Sequence, residues 1–166
     1  MMMIETEASR SEHPVDVIER VAAVRAWTFA RDDEDEICIS VDGSWSPYQL
    51  SFTWLEGVEA LHLACAFDIK INERRRNELN KLVSLINEQL WVGHFGIWEK
   101  EGVVIFRHTL ILAGGIEPTT EQCEAAIEAG VQACDRYYQC FNFVLWSGRT
   151  AKEALDTALF DTVGEA

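Results

Sequence analysis

The sequence lacks the short motifs that usually indicate a chemistry. Its five cysteines form no C-x-x-C pair, and it has no H-E-x-x-H motif or close histidine cluster, so no zinc site is predicted. A G-x-S-x-G nucleophile elbow, a Walker A loop and a G-x-G-x-x-G loop after a strand are also missing. We therefore expect no catalytic centre, no metal and no cofactor, and a protein that is not an enzyme.

Proline, long apolar runs and basic residues are scarce as well. Three prolines argue against long disordered linkers, and no stretch approaches the ~18 consecutive apolar residues of a membrane helix. Fourteen basic residues stand against 28 acidic ones, and the resulting net charge of −14 would repel phosphate backbones and anionic membranes. We expect no nucleic-acid partner and no membrane association. The acidity suits a soluble surface; alternatively, acidic faces hold a basic partner segment.

The cysteines and the N-terminus together indicate a reducing compartment. Most of the five cysteines lie in apolar patterns, where a free thiol behaves as a small hydrophobic side chain. The chain does not open with a basic region followed by a long apolar run, so no secretory signal is visible. We expect a cytoplasmic protein with a flexible tail at residues 1–12 and a single α+β domain at residues 13–162.

Apolar packing surface is abundant, and its periodicity predicts a helix followed by four strands. A helix from Pro14 to about Ala26 is indicated by valines at i, i+4 and i+7. The acidic stretch at residues 32–36 lacks the alternating ligands and the glycine of a calcium loop, so it is predicted to be a solvated hairpin loop. The third and fourth strands place apolar side chains at every second position: Tyr48, Leu50, Phe52 and Trp54, then Leu61, Leu63, Cys65, Phe67 and Ile69. This period of two predicts one face on the core and one face that is wet or lightly covered.

The stretch from Asn77 to Leu112 joins an amphipathic helix to a β-hairpin with almost no connector. Asn72 is a good N-cap for this second helix, and Gly93 and Gly96 bracket the turn that follows it. The sixth strand, Val103–Leu112, is apolar on both sides and is predicted to be central in the sheet. The first turns of the second helix carry a basic patch, either a solvated face or a partner contact, made of Arg74, Arg75, Arg76 and Lys81.

A long third helix and a short fourth helix complete the predicted chain. Thr119 and Gln122 match a capping box at the start of the third helix. Gly130 in the middle of that helix costs about 1 kcal/mol relative to alanine, which predicts a close crossing over the sheet or a kink. The fourth helix is predicted to open at Thr150.

Two motifs carry a resemblance to a known family. Leu79 to Ile97 reads L-x-x-L-V-x-x-I-N-x-x-L-x-x-G-x-F-G-I, and Gly102 to Arg107 follows as a hairpin strand. These residues resemble the YbjN family of bacterial sensory transduction regulators, and the Asp135-Arg136-Tyr137-Tyr138 segment is similar too. That family resembles the type III secretion chaperone fold, which implies an αββββαββα core, with an antiparallel sheet and helices on one face, plus a short C-terminal helix. The resemblance also implies homodimerisation and binding of a protein segment.

We expect a non-enzymatic protein-interaction module, chaperone-like or regulatory, acting in bacterial stress or signalling. The alternative is a small-molecule-sensing domain with a pocket between the sheet and the long helix. Aromatic residues are enriched in binding hot spots, so the predicted partner or dimer interface comprises Trp91, Phe95 and Trp98 with Arg74 and Arg75. The alternative for the three aromatic residues is that they belong to the core.

Overall fold

The computed structural model describes residues 10–164, with side chains described up to residue 159. In this part of the chain four α-helices and six strands follow in the order αββββαββαα. Their bounds are α1 Pro14–Val24, β1 Thr28–Asp33, β2 Glu36–Asp42, β3 Pro47–Leu55, β4 Ala60–Lys70, α2 Arg76–Gln89, β5 His94–Trp98, β6 Val103–Ile111, α3 Thr120–Trp146 and α4 Ala151–Gly164. The predicted α+β class and element order are confirmed.

The six strands form one antiparallel sheet in the order β1-β2-β3-β4-β6-β5. The predicted alternation holds, because the apolar positions of β2, β3 and β4 all point to one buried face. One row of buried side chains crosses five strands: Ile39, Leu50, Cys65, Phe106 and Phe95. Five of the six strands therefore contribute buried side chains to a single core on the same side of the sheet, whereas β1 contributes none.

The described helices pack on this covered face of the sheet. Helix α1 packs on β1, β2 and β3, α3 packs on β3, β4 and β6, and α2 lies against β5. At Gly130 of α3, an added Cβ would lie 3.3 Å from Leu63 Cδ2 and 3.4 Å from Leu50 Cδ2. The close crossing predicted for this glycine is confirmed, since a larger residue would press on both leucines.

The opposite face of the sheet, called the open face below, has no helix packed on it in the described part of the chain. On β6 this face carries Arg107 and Thr109, both exposed, and Ile111, whose side chain is 74% exposed. The prediction that β6 is central in the sheet is confirmed, because β6 lies between β4 and β5. Its second face is nevertheless exposed at Arg107, Thr109 and Ile111, where no helix of the described residues covers the sheet.

The predicted flexible tail, residues 1–12, lies outside the described residues as far as residue 9. Arg10 is described, and its side chain is only 10% exposed. Its guanidinium donates to Glu59 Oε1 at 2.8 Å, to Leu112 O at 2.7 Å and to Ile116 O at 2.8 Å. Its carbon Cζ also lies 4.6 Å from the centroid of a Trp54 ring. These contacts tie the start of the described chain to the end of the sheet.

Candidate interaction surfaces

At the hinge between α2 and β5, the side chain of Asn87 makes the two backbone hydrogen bonds that a neighbouring strand would make. Asn87 Nδ2 donates to Phe95 O at 2.9 Å, and Phe95 N donates to Asn87 Oδ1 at 2.8 Å. Both backbone groups of Phe95 point away from β6, so Asn87 satisfies the edge of the sheet at that residue. Gly93 makes the preceding turn with φ +73°, and an added Cβ would lie 2.3 Å from Phe106 Cζ.

Of the three aromatic residues predicted at the interface, two are at the surface and one is not. Trp91, in the connection before β5, is fully exposed, and Trp98, at the other end of β5, is 42% exposed. Phe95 is 1% exposed and packs against the rings of Phe67, Phe106, Tyr137 and Phe141. Phe95 is thus a core residue and is withdrawn from the interface, because its ring faces the helices while Trp98 faces the open side.

The basic patch at and before the start of α2 largely makes contacts within the protein. Arg75 donates from Nε to Val144 O at 2.8 Å and from Nη2 to Arg149 O at 2.5 Å, which closes the C-terminal end of α3. Arg75 is therefore better described as a capping residue than as a contact for a partner. Arg74 is exposed, and its guanidinium has no partner among the described residues. Further ion pairs join Arg76 to Glu73 and Glu99, and Lys81 to Glu78.

The Asp135-Arg136-Tyr137-Tyr138 segment of α3 makes hydrogen bonds to the sheet and to α2. Asp135 Oδ1 accepts hydrogen bonds from Tyr48 Oη at 2.9 Å and from Ser44 N at 2.8 Å. Burial raises the pKa of Tyr48, and the Asp135 carboxylate raises it further, so the phenol stays protonated as a donor. Two more hydrogen bonds run from Tyr137 to Gln89 and from Tyr138 to Asp68. This family motif therefore fastens α3 in place.

A shallow groove of about 460 Å³ lies between α2 and the start of α4, not between the sheet and α3. Ala151 N, at the first residue of α4, donates to Glu78 Oε2 at 2.9 Å. That backbone N–H, and then Lys81, lower the pKa of Glu78. The helix end is therefore already occupied by a carboxylate of the protein itself. The groove is lined by Glu78, Lys81, Ser84, Leu85, Thr150, Ala151 and Lys152.

The open face holds a polar cluster that the sequence reading did not assemble. His62 on β4 lies beside Thr109 on β6, and Arg107 Nε donates to His62 Nε2 at 3.3 Å. His108 lies on the covered face instead, opposite Leu63. His62 and His108 thus come from neighbouring strands but point to opposite faces. The pairing of β4 with β6 brings His62 next to Arg107 and Thr109. The local sequence pattern of neither strand predicts that pairing.

Two further kinds of site are not found in the described part of the chain. No three or more His, Cys, Asp or Glu side chains come together there in a way that could hold a metal ion. None of the helices described is long and apolar enough to cross a membrane.

Cys65 and Cys134 face each other in the core, and hydrogen bonding to Cys65, then burial, raises the pKa of Cys134.

These features define an α+β protein with an antiparallel sheet covered on one side, and with exposed tryptophans just before and at the end of one edge strand. The chain belongs to the YbjN family: the family model, described as "Putative bacterial sensory transduction regulator", matches residues 14–143. A comparison with curated proteins gives no significant match. The predicted family is therefore confirmed.

Solved structures with a similar fold include a member of the same family. A crystal structure of "YbjN, a putative transcription regulator from E. coli" is 10% identical, with a TM-score of 0.53, covering 75% of this chain and 90% of that chain. A chain of the ExsC–ExsE complex is 16% identical, with a TM-score of 0.49 and coverages of 82% and 94%. A chain of the HopA1–SchA chaperone–effector complex is 13% identical, with a TM-score of 0.48 and coverages of 74% and 89%. The first of these agrees with the fold described above.

Proposed function

We propose that this chain is a non-enzymatic protein-interaction module, chaperone-like or regulatory, that works as a homodimer in the cytoplasm. The observation that carries the proposal is the exposure of Trp91, in the connection before β5, and of Trp98, the last residue of β5. Tryptophan is enriched in binding hot spots because one side chain removes a large apolar area from water. The family description supports a regulatory role, and we place that role in bacterial stress or signalling.

The surface around β5 is suited to contact through side chains. The backbone edge of β5 is satisfied at its centre, where Asn87 bonds to Phe95, so adding a strand there would require breaking two hydrogen bonds. Val92, which follows Trp91, is 42% exposed and extends the apolar surface. Exposed apolar side chains at one edge of a compact domain mark association surfaces more often than isolated ones do.

Light scattering on the purified protein tests the homodimer. We expect a mass of twice the 18.8 kDa protomer at micromolar concentration, and a shift towards the protomer mass in the Trp91→Ser and Trp98→Ser variants. Trp45→Ser is the matched control, because Trp45 is also exposed but lies in the turn between β2 and β3. A wild-type protein that stays at the protomer mass across micromolar concentrations would remove the homodimer. If the Trp91→Ser and Trp98→Ser variants unfold, as shown by circular dichroism, these side chains stabilise the fold and their assignment to the interface is wrong.

The small-molecule-sensing alternative is supported by one feature, the groove between α2 and α4. Its volume of about 460 Å³ lies within the range of roughly 300–1,000 Å³ that ligand sites occupy. Native mass spectrometry of protein purified from its own host tests this candidate function. A bound small molecule that is lost in a Leu85→Trp variant, which fills the groove, would support sensing. An unliganded mass in both proteins would count against it.

A further inference from the structure

Arg107 is the charged centre of a polar cluster on the open face. It lies on β6 directly between Ala64 of β4 and His94 of β5. Its Nε–H donates to His62 Nε2 at 3.3 Å, and His62 Nδ1 lies 3.0 Å from Thr109 Oγ1. Because arginine keeps its proton, His62 accepts at Nε2 and donates from Nδ1 to the threonine. The two Nη groups of Arg107 have no hydrogen-bond partner among the described residues.

No carboxylate of the described residues neutralises this cluster. The ion pairs of the described residues use other arginines, one lysine and His13, and none includes Arg107, His62 or His94. Burial lowers the pKa of His62, and the positive charge of Arg107 lowers it further. Other described arginines, such as Arg74 and Arg136, also form no ion pair, and Arg107 differs from them in its position on the open face beside His62 and His94. The cluster therefore offers hydrogen-bond donors and positive charge to an anion from outside.

An apolar contact lies on the same face at a defined spacing from Arg107. Ile111 is four residues further along β6, which corresponds to about 13 Å at the rise of a strand. Leu55, 41% exposed, lies in the same row as Ile111, and Ala60 lies between them. The open face thus presents a cationic contact and an apolar contact about four strand residues apart.

We propose that the open face binds an extended, acidic segment of a partner protein. One carboxylate of the segment pairs with the Nη groups of Arg107 beside His94, and an apolar side chain four residues away rests on Ile111 and Leu55. In an extended chain, residues i and i+4 point to the same side, so one segment can make both contacts. This inference rests on the proposed function, since it names the class of partner that the interaction module binds.

A pair of blocked synthetic peptides tests this assignment by NMR titration of the full-length protein. The first reads leucine–threonine–alanine–threonine–aspartate, and the second has asparagine in place of aspartate. We expect the aspartate peptide to shift the backbone amide signals of β4 and β6 and to bind about tenfold more tightly than the asparagine peptide, as one charge-assisted pair provides. We expect Arg107→Gln to abolish this preference. Lys100→Gln, which removes the same charge in the exposed β5–β6 turn, should preserve it.

Equal binding of the two peptides, or no shift with either at millimolar concentration, would overturn the inference. A preference for aspartate that survives Arg107→Gln would overturn it as well. Light scattering of the Arg107→Gln variant distinguishes a failure of this inference from a failure of the homodimer proposal. The proposed dimer surface lies at Trp91 and Trp98, so the variant is expected to keep the dimer mass. A variant that falls to the protomer mass would show that the open face binds a second copy of the chain, and would also refute the proposal.

Discussion

The side chain of Asn87 pairs with both backbone groups of Phe95, at 2.9 and 2.8 Å, as a neighbouring strand would. This pairing links the C-terminal part of α2 to the middle of an edge strand. It leaves the ring of Phe95 free to fill the core beneath α3 while the backbone stays satisfied. Asn87 and Phe95 belong to the stretch that carries the family resemblance. Asn87 in this motif is therefore explained by the hydrogen bonds that it makes to Phe95 at the hinge.

Replacing Asn87 by alanine should lower the free energy of unfolding by about 1–3 kcal/mol, because the N–H and C=O of Phe95 lose their partners. Asn80→Ala is the matched control, since Asn80 is exposed on the same helix. Urea denaturation with an unchanged m-value measures the difference. Equal midpoints for the two variants would show that water satisfies Phe95 as well as Asn87 does.

Replacing Gly93 by alanine should lower the free energy of unfolding by roughly 2–5 kcal/mol. The residue has φ +73°, and the added methyl group would lie 2.3 Å from Phe106 Cζ. Gly57→Ala provides the contrast, because an added Cβ there meets no atom within 4 Å. Thermal unfolding of both variants checks this. A Gly93→Ala protein as stable as Gly57→Ala would mean that the ring of Phe106 moves aside at no cost.

Replacing Arg10 by alanine should destabilise the protein by about 1–3 kcal/mol, because Glu59 and two backbone carbonyls lose a charged donor. The exposed Arg74→Ala removes the same charge and should change stability by less than about 0.5 kcal/mol. Chemical denaturation compares the two. If both variants lose the same stability, the loss comes from net charge and not from the anchoring contacts.

Stability should fall as the pH is lowered below about 6.5, the usual histidine value in an unfolded chain. Burial lowers the folded-state pKa of both His62 and His108, so the unfolded chain takes up protons that the folded chain refuses. The stability that the two neutral histidines contribute is fully present above their pKa in the unfolded chain. It is lost as the pH falls from that value towards their lower pKa values in the folded protein. A His62→Gln/His108→Gln variant should show a smaller loss between pH 7 and pH 5 in urea titrations. An unchanged slope would remove both groups from the acid response.

The helices and strands can be predicted from local sequence patterns, but the exposure of individual side chains cannot. The alternation in β3 and β4, the Thr119–Gln122 capping box and the need for a small residue at Gly130 could all be read from neighbouring positions in the chain. Phe95 could not be assigned in the same way. Its neighbours Trp91 and Trp98 are equally aromatic, and which ring points inward depends on how α2 and β6 bracket a five-residue edge strand.

The surface sites depended on strand order, which local periodicity does not encode. Arg107 and His62 are 45 residues apart in the chain, and only the pairing of β4 with β6 makes them neighbours. The same pairing sends His108 to the other face, because adjacent residues of a strand alternate sides. Likewise, the position of Arg75 just before α2 does not reveal that its guanidinium donates to the backbone at the C-terminal end of α3.

The sequence by itself determined the α+β class, the order of the elements, the buried face of the strands and the family, because each depends on the spacing of residues close together in the chain. Only the tertiary structure decided which side of the sheet stays open, which aromatic residues are exposed and which cations lack an acidic partner. Those properties depend on contacts between segments far apart in the chain, where one strand pairing places a side chain either in the core or at the surface.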